Sequence, residues 1–200
     1  MSATLSRDQL LRRGAVGGGA VLSGTVFGAF AERADAATVP DSDLAYLRLL
    51  VAAELLEADF QRLALKSGKL TSRSKAVIKK MSADEKAHYE ALARLMTDAG
   101  QIPATAGDID FSYPKNTFAS WSSVAKVASQ IETIVLGSYL GSVQNVQTEA
   151  LRLPIGRIAA NEAQHVGALA GLRGRTVIGR AFASALQIEA ASAALDKFES

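Results

Sequence analysis

The chain has two histidines in 200 residues, and each follows a glutamate by three positions. Glu85 and His88 stand in "SADEKAHYEAL", Glu162 and His165 in "AANEAQHVGAL". With ten glutamates in the chain, that double coincidence arises by chance in about one chain in 400 at average residue usage. Residues three apart on a helix share a face, so each pair presents a carboxylate and an imidazole in one direction. Divalent iron, manganese and zinc accept such ligands. The chain has no cysteine, so any metal site must be built from oxygen and nitrogen.

A pair of ions needs more donors than these two motifs comfortably supply. Glu132 stands in "IETIVLG", inside the most apolar run of the chain, where an ionised carboxylate must be paired, metal-bound or protonated. Upstream lie Glu54 and Glu57 in "AELLEADFQ". A hairpin turn centred near residue 69 or 70 puts Glu54 level with Glu85, and Glu57, three residues on, is the alternate. Glu54, Glu85, Glu132 and Glu162 balance two divalent ions in formal charge. That balance is a physical reason to bury four acids that would otherwise repel one another. Each residue also has an ordinary reading. Glu85 can close a capping box opened by Ser82, Glu54 and Glu57 can be solvated partners of nearby charges, and a buried histidine is often a hydrogen-bonded core residue. The order favours metal: one Glu, then E-x-x-H, one Glu, then E-x-x-H, with one element per helix.

The elements that must position these residues read as helices. Leu44 to Leu65 has apolar residues at helical intervals, with Asp41 or Ser42 available to cap it and Gly68 to stop it. A second helix is predicted from about Thr71 to Ala99, a third from Ser120 to Gln147, and a fourth from the break at Pro154 to Leu172, with the proline in its first turn. Between the second and third lies "QIPATAGDIDFSYPKNTF", too long for a hairpin and suited to a crossover. The tail after Leu172 suggests a short fifth amphipathic helix. The expected fold is an all-α four-helix bundle over residues 37–172, followed by a C-terminal helix or tail over 173–200.

Residues 1–36 are expected to be an export signal. Arg12 and Arg13 precede the glycine-rich apolar run "GAVGGGAVLSGTVFGAF", and "ADAA" then offers small residues for cleavage near Ala36. The run is too diluted for a membrane span, and the arginine pair resembles a twin-arginine signal. The protein is therefore expected to be periplasmic, extracellular or held at the cell envelope, with the Tat translocase and signal peptidase as transient partners. The whole chain carries 22 Lys and Arg against 20 Asp and Glu. Removing Arg7, Arg12, Arg13 and Arg33 with Asp8, Glu32 and Asp35 leaves 18 against 17, a net charge of +1. Nucleic acid is not an expected partner at that charge.

The motifs together resemble the ferritin-like superfamily of di-iron or di-manganese carboxylate proteins, in particular its exported, desiccation-related members. "AELLEADFQ" is similar to the family's first-helix pattern, with glutamine where an aromatic is usual, and "DEKAH" and "NEAQH" resemble its second and fourth helices. The likeness covers about Asp41 to Leu172. It implies a ligand set of Glu54, Glu85, His88, Glu132, Glu162 and His165 holding two iron ions, or manganese.

On that footing the expected function is a dinuclear metal protein that reacts with oxygen or peroxide, as an oxidase, a peroxidase-like enzyme or an iron-oxidising protein. The alternative is a non-catalytic structural or stress-protective bundle whose site is stabilising or vestigial. An iron-storing cage is less favoured, since the export signal, long crossover and extra tail do not by themselves imply cage contacts, and a DNA-protecting role gains little from a net charge of +1 and no lysine-rich arm. Tyr139, two turns after Glu132, either faces the site as a redox-active neighbour or reaches the bundle edge. Gly137 and Gly141 either permit close helix packing or leave a path for a small oxidant.

Overall fold

The computed structural model describes residues 39–200. The export reading of residues 1–36 lies outside them. Four long helices form the bundle: α1 (Asp41–Lys66), α2 (Ser72–Asp98), α3 (Trp121–Asn145) and α4 (Glu149–Leu172). A short α5 (Ile188–Leu195) follows and runs into a 3₁₀ turn, Asp196–Phe198. Helix α1 packs on α2 and α3, and α4 on α3 and α2, so the helices follow the order α1, α2, α4, α3 around the bundle. Short connections make α1 with α2, and α3 with α4, antiparallel pairs.

Helix ends follow local chemistry in most places. Thr71 caps α2 and Ser120 caps α3, each side-chain oxygen accepting the backbone N–H three residues on at 3.1 Å. Gly68 and Gly100 end α1 and α2 in the left-handed conformation, at φ 68° and 73°. Two predicted ends differ. Helix α4 begins at Glu149, so Pro154 sits in its second turn rather than its first, and the carbonyl of Ala150 goes without the intrahelical N–H it would otherwise receive. Neither Asp41 nor Ser42 caps α1, whose N-cap position is Pro40. Asp43 is buried and reaches across the bundle instead, accepting from the backbone N–H of Gln147 at 2.9 and 3.1 Å and of Thr148 at 2.7 Å. It thus caps α4 from another helix.

Helix α1 is buried nearly all round, from Leu44 to Ala64, because α2, α3, α5 and the crossover all cover it. The crossover of residues 99–120 is pinned rather than loose. Ala104 and Ile109 are buried, and Tyr113 donates to Asp59 Oδ2 at 2.9 Å. Its ring and that of Phe118 meet Phe60 in an aromatic cluster with centroids 5.4 Å apart. Phe111 and Glu199 form an antiparallel bridge that ties the crossover to the tail.

The tail also explains the thinned face of α3. A Cβ on Gly141 would lie 1.8 Å from the Leu186 carbonyl oxygen, and one on Gly137 2.8 Å from Leu186 Cγ. Leu186 donates its N–H to the Gly137 carbonyl at 2.9 Å. The two glycines therefore seat the segment before α5, which is neither a helix–helix contact nor an open path. Among the described residues, no helix is long and apolar enough to cross a membrane.

Candidate metal centre

Each long helix delivers its acids to one level of the bundle. Glu54 and Glu57 come from α1, Glu85 and His88 from α2, Glu132 from α3, and Glu162 and His165 from α4. All seven are buried. Ligand atoms of Glu54, Glu85, His88 and Glu162 lie within 4.8 Å of one another, as do those of Glu85, Glu132 and His165, and those of Glu57, Glu132 and Glu162. The structure thus brings the six residues of the expected set together. It also brings in Glu57, which is present beside Glu54 rather than in place of it.

The two E-x-x-H carboxylates each face both histidines. Glu85 sets one oxygen 3.1 Å from His88 Nδ1 and the other 3.3 Å from His165 Nδ1. Glu162 does the same at 2.9 and 3.2 Å. Glu54 lies 3.5 Å from His88 Nδ1, and Glu132 3.5 Å from His165 Nδ1. The centre is therefore two half-sites joined by two shared carboxylates, with the imidazole centroids 6.0 Å apart.

These contacts are close, but several are not hydrogen bonds. His88 Nδ1 has oxygens around it at 2.9, 3.1 and 3.5 Å and is aligned with none of them. Buried oxygens of Glu54, Glu57, Glu85, Glu132 and Glu162 also go without hydrogen-bond partners. Leaving so many buried polar atoms unsatisfied is costly, at about 1–3 kcal/mol each. An ion with ligand bonds of about 2.1 Å spaces adjacent ligand atoms by about 3.0 Å in octahedral geometry and about 3.4 Å in tetrahedral. The donors show that spacing, so the residues fit a pair of divalent ions.

Electrostatics point the same way. Burial pushes Glu54 up to about 8 against the lowering contact with His88, and pushes Glu57 and Glu132 well above the usual carboxylate range. Burial also raises Glu85. For Glu162 burial is outweighed by the hydrogen bond to His165 and the close charged contact with His88, which hold it down to about 2. Burial opposes charge on the imidazoles, yet the carboxylates around them raise His88 to about 12 and His165 to about 11. The centre attracts positive charge, whether protons or metal ions.

The outer imidazole nitrogens are held crosswise. His88 Nε2 is 3.0 Å from Asn161 Oδ1, and His165 Nε2 is 3.3 Å from Asp84 Oδ2. Each partner is the residue just before the glutamate of the opposite motif. Both partner oxygens are acceptors, so each Nε2 keeps its proton on the outside, and an ion that displaces the inner proton would find the Nδ1 lone pair turned toward it, as a metal ligand requires. Sequence reading missed Asp84, Asn161 and Gln61, which donates to Glu85 Oε1 at 2.7 Å. The signal was present in the polar residue that precedes Glu in both motifs. Tyr139 faces the interior, fully buried, and donates to Glu54 Oε1.

The arrangement is a potential dinuclear metal site of oxygen and nitrogen ligands. No curated protein matches this sequence. The family model of the ferritin-like domain matches residues 42–175, a span that holds all four long helices and every residue of the site. With that match over more than half of its length, the chain belongs to the ferritin-like domain family.

Proposed function

We propose that this protein binds two divalent iron or manganese ions between its four helices and uses them to reduce dioxygen or peroxide outside the cytoplasm. The observation that carries the reading is the doubled sharing at the centre, where Glu85 and Glu162 each turn one oxygen to His88 and the other to His165. One shared carboxylate would suit a single ion with an outer partner. Two of them, each flanked by its own histidine and its own terminal glutamate, suit a pair.

Bound iron or manganese ions would supply the electrons and the Lewis acidity for such a reaction. The chain's own residues hold and orient. Glu54 and His88 would serve one ion, Glu132 and His165 the other, and Asn161 and Asp84 fix the two imidazoles. Tyr139 fixes Glu54 through its hydroxyl and stands close enough to the cluster to move a proton or an electron. Ile78, Met81, Ala128 and Ile131 line the side of the site next to Glu57 and Glu132 and keep it apolar. Export rests on Arg12, Arg13 and the apolar run after them. Replacing both arginines with lysine should retain an uncleaved precursor, and unchanged secretion would remove the twin-arginine route.

Elemental analysis of protein loaded anaerobically with ferrous or manganous ions tests the pair directly. Oxygen and peroxide consumption by the loaded protein then tests the reaction. Loading of a single ion would reject the dinuclear centre, and full loading without turnover would leave a structural metal site.

A further inference from the structure

Glu57 is left over by the six-residue ligand set. It is 1% exposed, and neither of its oxygens has a hydrogen-bond partner. Even a protonated carboxyl group would bury a donor and an acceptor here without compensation. Its ligand atoms group with those of Glu132 and Glu162, whereas His165 groups with Glu132 and Glu85. The two groups share Glu132, and neither contains both His165 and Glu57. Beside Glu57 is a small, mostly apolar cavity walled by Phe60, Gln61, Ile78, Met81 and Glu132.

We infer that Glu132 can hold its ion in either of two seats, one completed by Glu85 and His165 and the other, made of oxygen alone, completed by Glu57 and Glu162. This rests on the dinuclear reading above and adds a residue to it. The two seats differ in chemistry. Imidazole suits iron, cobalt and zinc, while a shell of carboxylates suits manganese. Three carboxylates also attract a hard cation more strongly than two carboxylates and a neutral imidazole. Glu57 therefore widens the range of metals that one half of the centre accepts, whereas in the other half His88 already stands in one group with three carboxylates, Glu54, Glu85 and Glu162.

Manganese binding to the whole protein, followed by equilibrium dialysis with electron paramagnetic resonance counting of free ion, tests this against cobalt as the nitrogen-preferring probe. His165→Ala should keep both manganese ions, the second at reduced affinity, and should lose the second cobalt ion. Adding Glu57→Gln to that variant should remove the second manganese ion. If His165→Ala alone binds only one manganese ion, or if the double variant still binds both, the second seat does not exist. If the unaltered protein binds neither ion, the dinuclear reading fails and this inference with it. Circular dichroism checks the fold of each variant. Glu57→Gln in the unaltered background gives an independent arm, because manganese affinity should fall at least about tenfold more than cobalt affinity, and equal falls overturn the proposal.

Discussion

The bundle is two helix pairs built to one plan, and the pairs are not equal. Helices α1 and α2 contribute Glu54, Glu85 and His88; α3 and α4 contribute Glu132, Glu162 and His165. At the positions around them the plan diverges. The first pair adds Glu57 as a further buried carboxylate and Gln61 as a donor to Glu85. The second pair has the tyrosine, Tyr139, seven residues after its terminal glutamate, where the first has Gln61. The outer supports differ as well. His165 leans on the carboxylate of Asp84, itself paired with Lys80, whereas His88 leans on the amide of Asn161. Repeating a motif fixes where ions sit, and the unrepeated neighbours make two positions chemically distinct.

If the shared carboxylates are what join the halves, removing one should cost more than removing a terminal ligand. Glu162→Gln should weaken both ions, while Glu132→Gln or Glu54→Gln should weaken mainly one. Calorimetric titration under anaerobic conditions would read this, and a one-ion loss from Glu162→Gln would break the comparison. The holo protein should lose thermal stability in the same order, because binding at a hundredfold excess over Kd contributes about 2.7 kcal/mol per ion. The apo forms of Glu132→Gln and Glu54→Gln should be as stable or more so, since burial disfavours those carboxylates, whereas apo Glu162→Gln should be less stable, since both histidines hold that carboxylate ionised.

The outer supports offer a smaller test. Asp84→Asn makes the two histidine supports alike, and it should lower affinity for the His165 ion by about tenfold while leaving the His88 ion nearly unchanged. Asn161→Asp should strengthen the His88 ion in turn. Equal effects of either change on both ions would show that the difference between Asp84 and Asn161 does not set the asymmetry.

The smallest expected effect concerns the joint between the pairs rather than the metal. Asp43 on α1 accepts three contacts from the start of α4, and although burial raises its pKa, the hydrogen bonds from Gln147, Thr148 and Ser42 leave it below its ordinary value of 3.8. A carboxyl depressed in the folded state stabilises the fold above the unfolded pKa and loses that contribution as pH falls through the folded one. Asp43→Asn should cost about 1–2 kcal/mol at neutral pH. In denaturant titrations the gap between the two proteins should stay constant above about pH 5 and close below about pH 4. A gap that persists in acid would mean that shape, and not charge, makes this cap.

Much of this was legible in the sequence because rare residues fell on a helical period. Two histidines with glutamate three before each, spaced on long amphipathic stretches, gave the four helices, the crossover and the level of the site. What escaped was whatever depends on rotation or on partners far along the chain. Hairpin counting places Glu54 level with Glu85, yet it says nothing of how α1 turns toward α3, so Glu57 looked like a substitute when both residues face the centre. The role of Asp43 escaped notice beside Asp41 and Ser42 because its partners lie 104 and 105 residues away. Helix α4 read as starting at Pro154 because the cap that lets it start at Glu149 is supplied by that same distant aspartate. The glycines of α3 announced a close approach without naming what approaches.

That approach has a consequence for the order of folding. The carbonyl of Gly137 and the bare backbone at Gly141 become a seat for Leu186 only once α3 is wound, so the tail can dock only on a helix already formed. Its contacts span more than 40 residues of chain, and such long-range closures come late. What docks last and buries little opens most readily. The Leu186 amide should therefore exchange with deuterium well ahead of the amides in the middle of α3, and Gly141→Ala should speed that exchange further by forcing the tail off its seat.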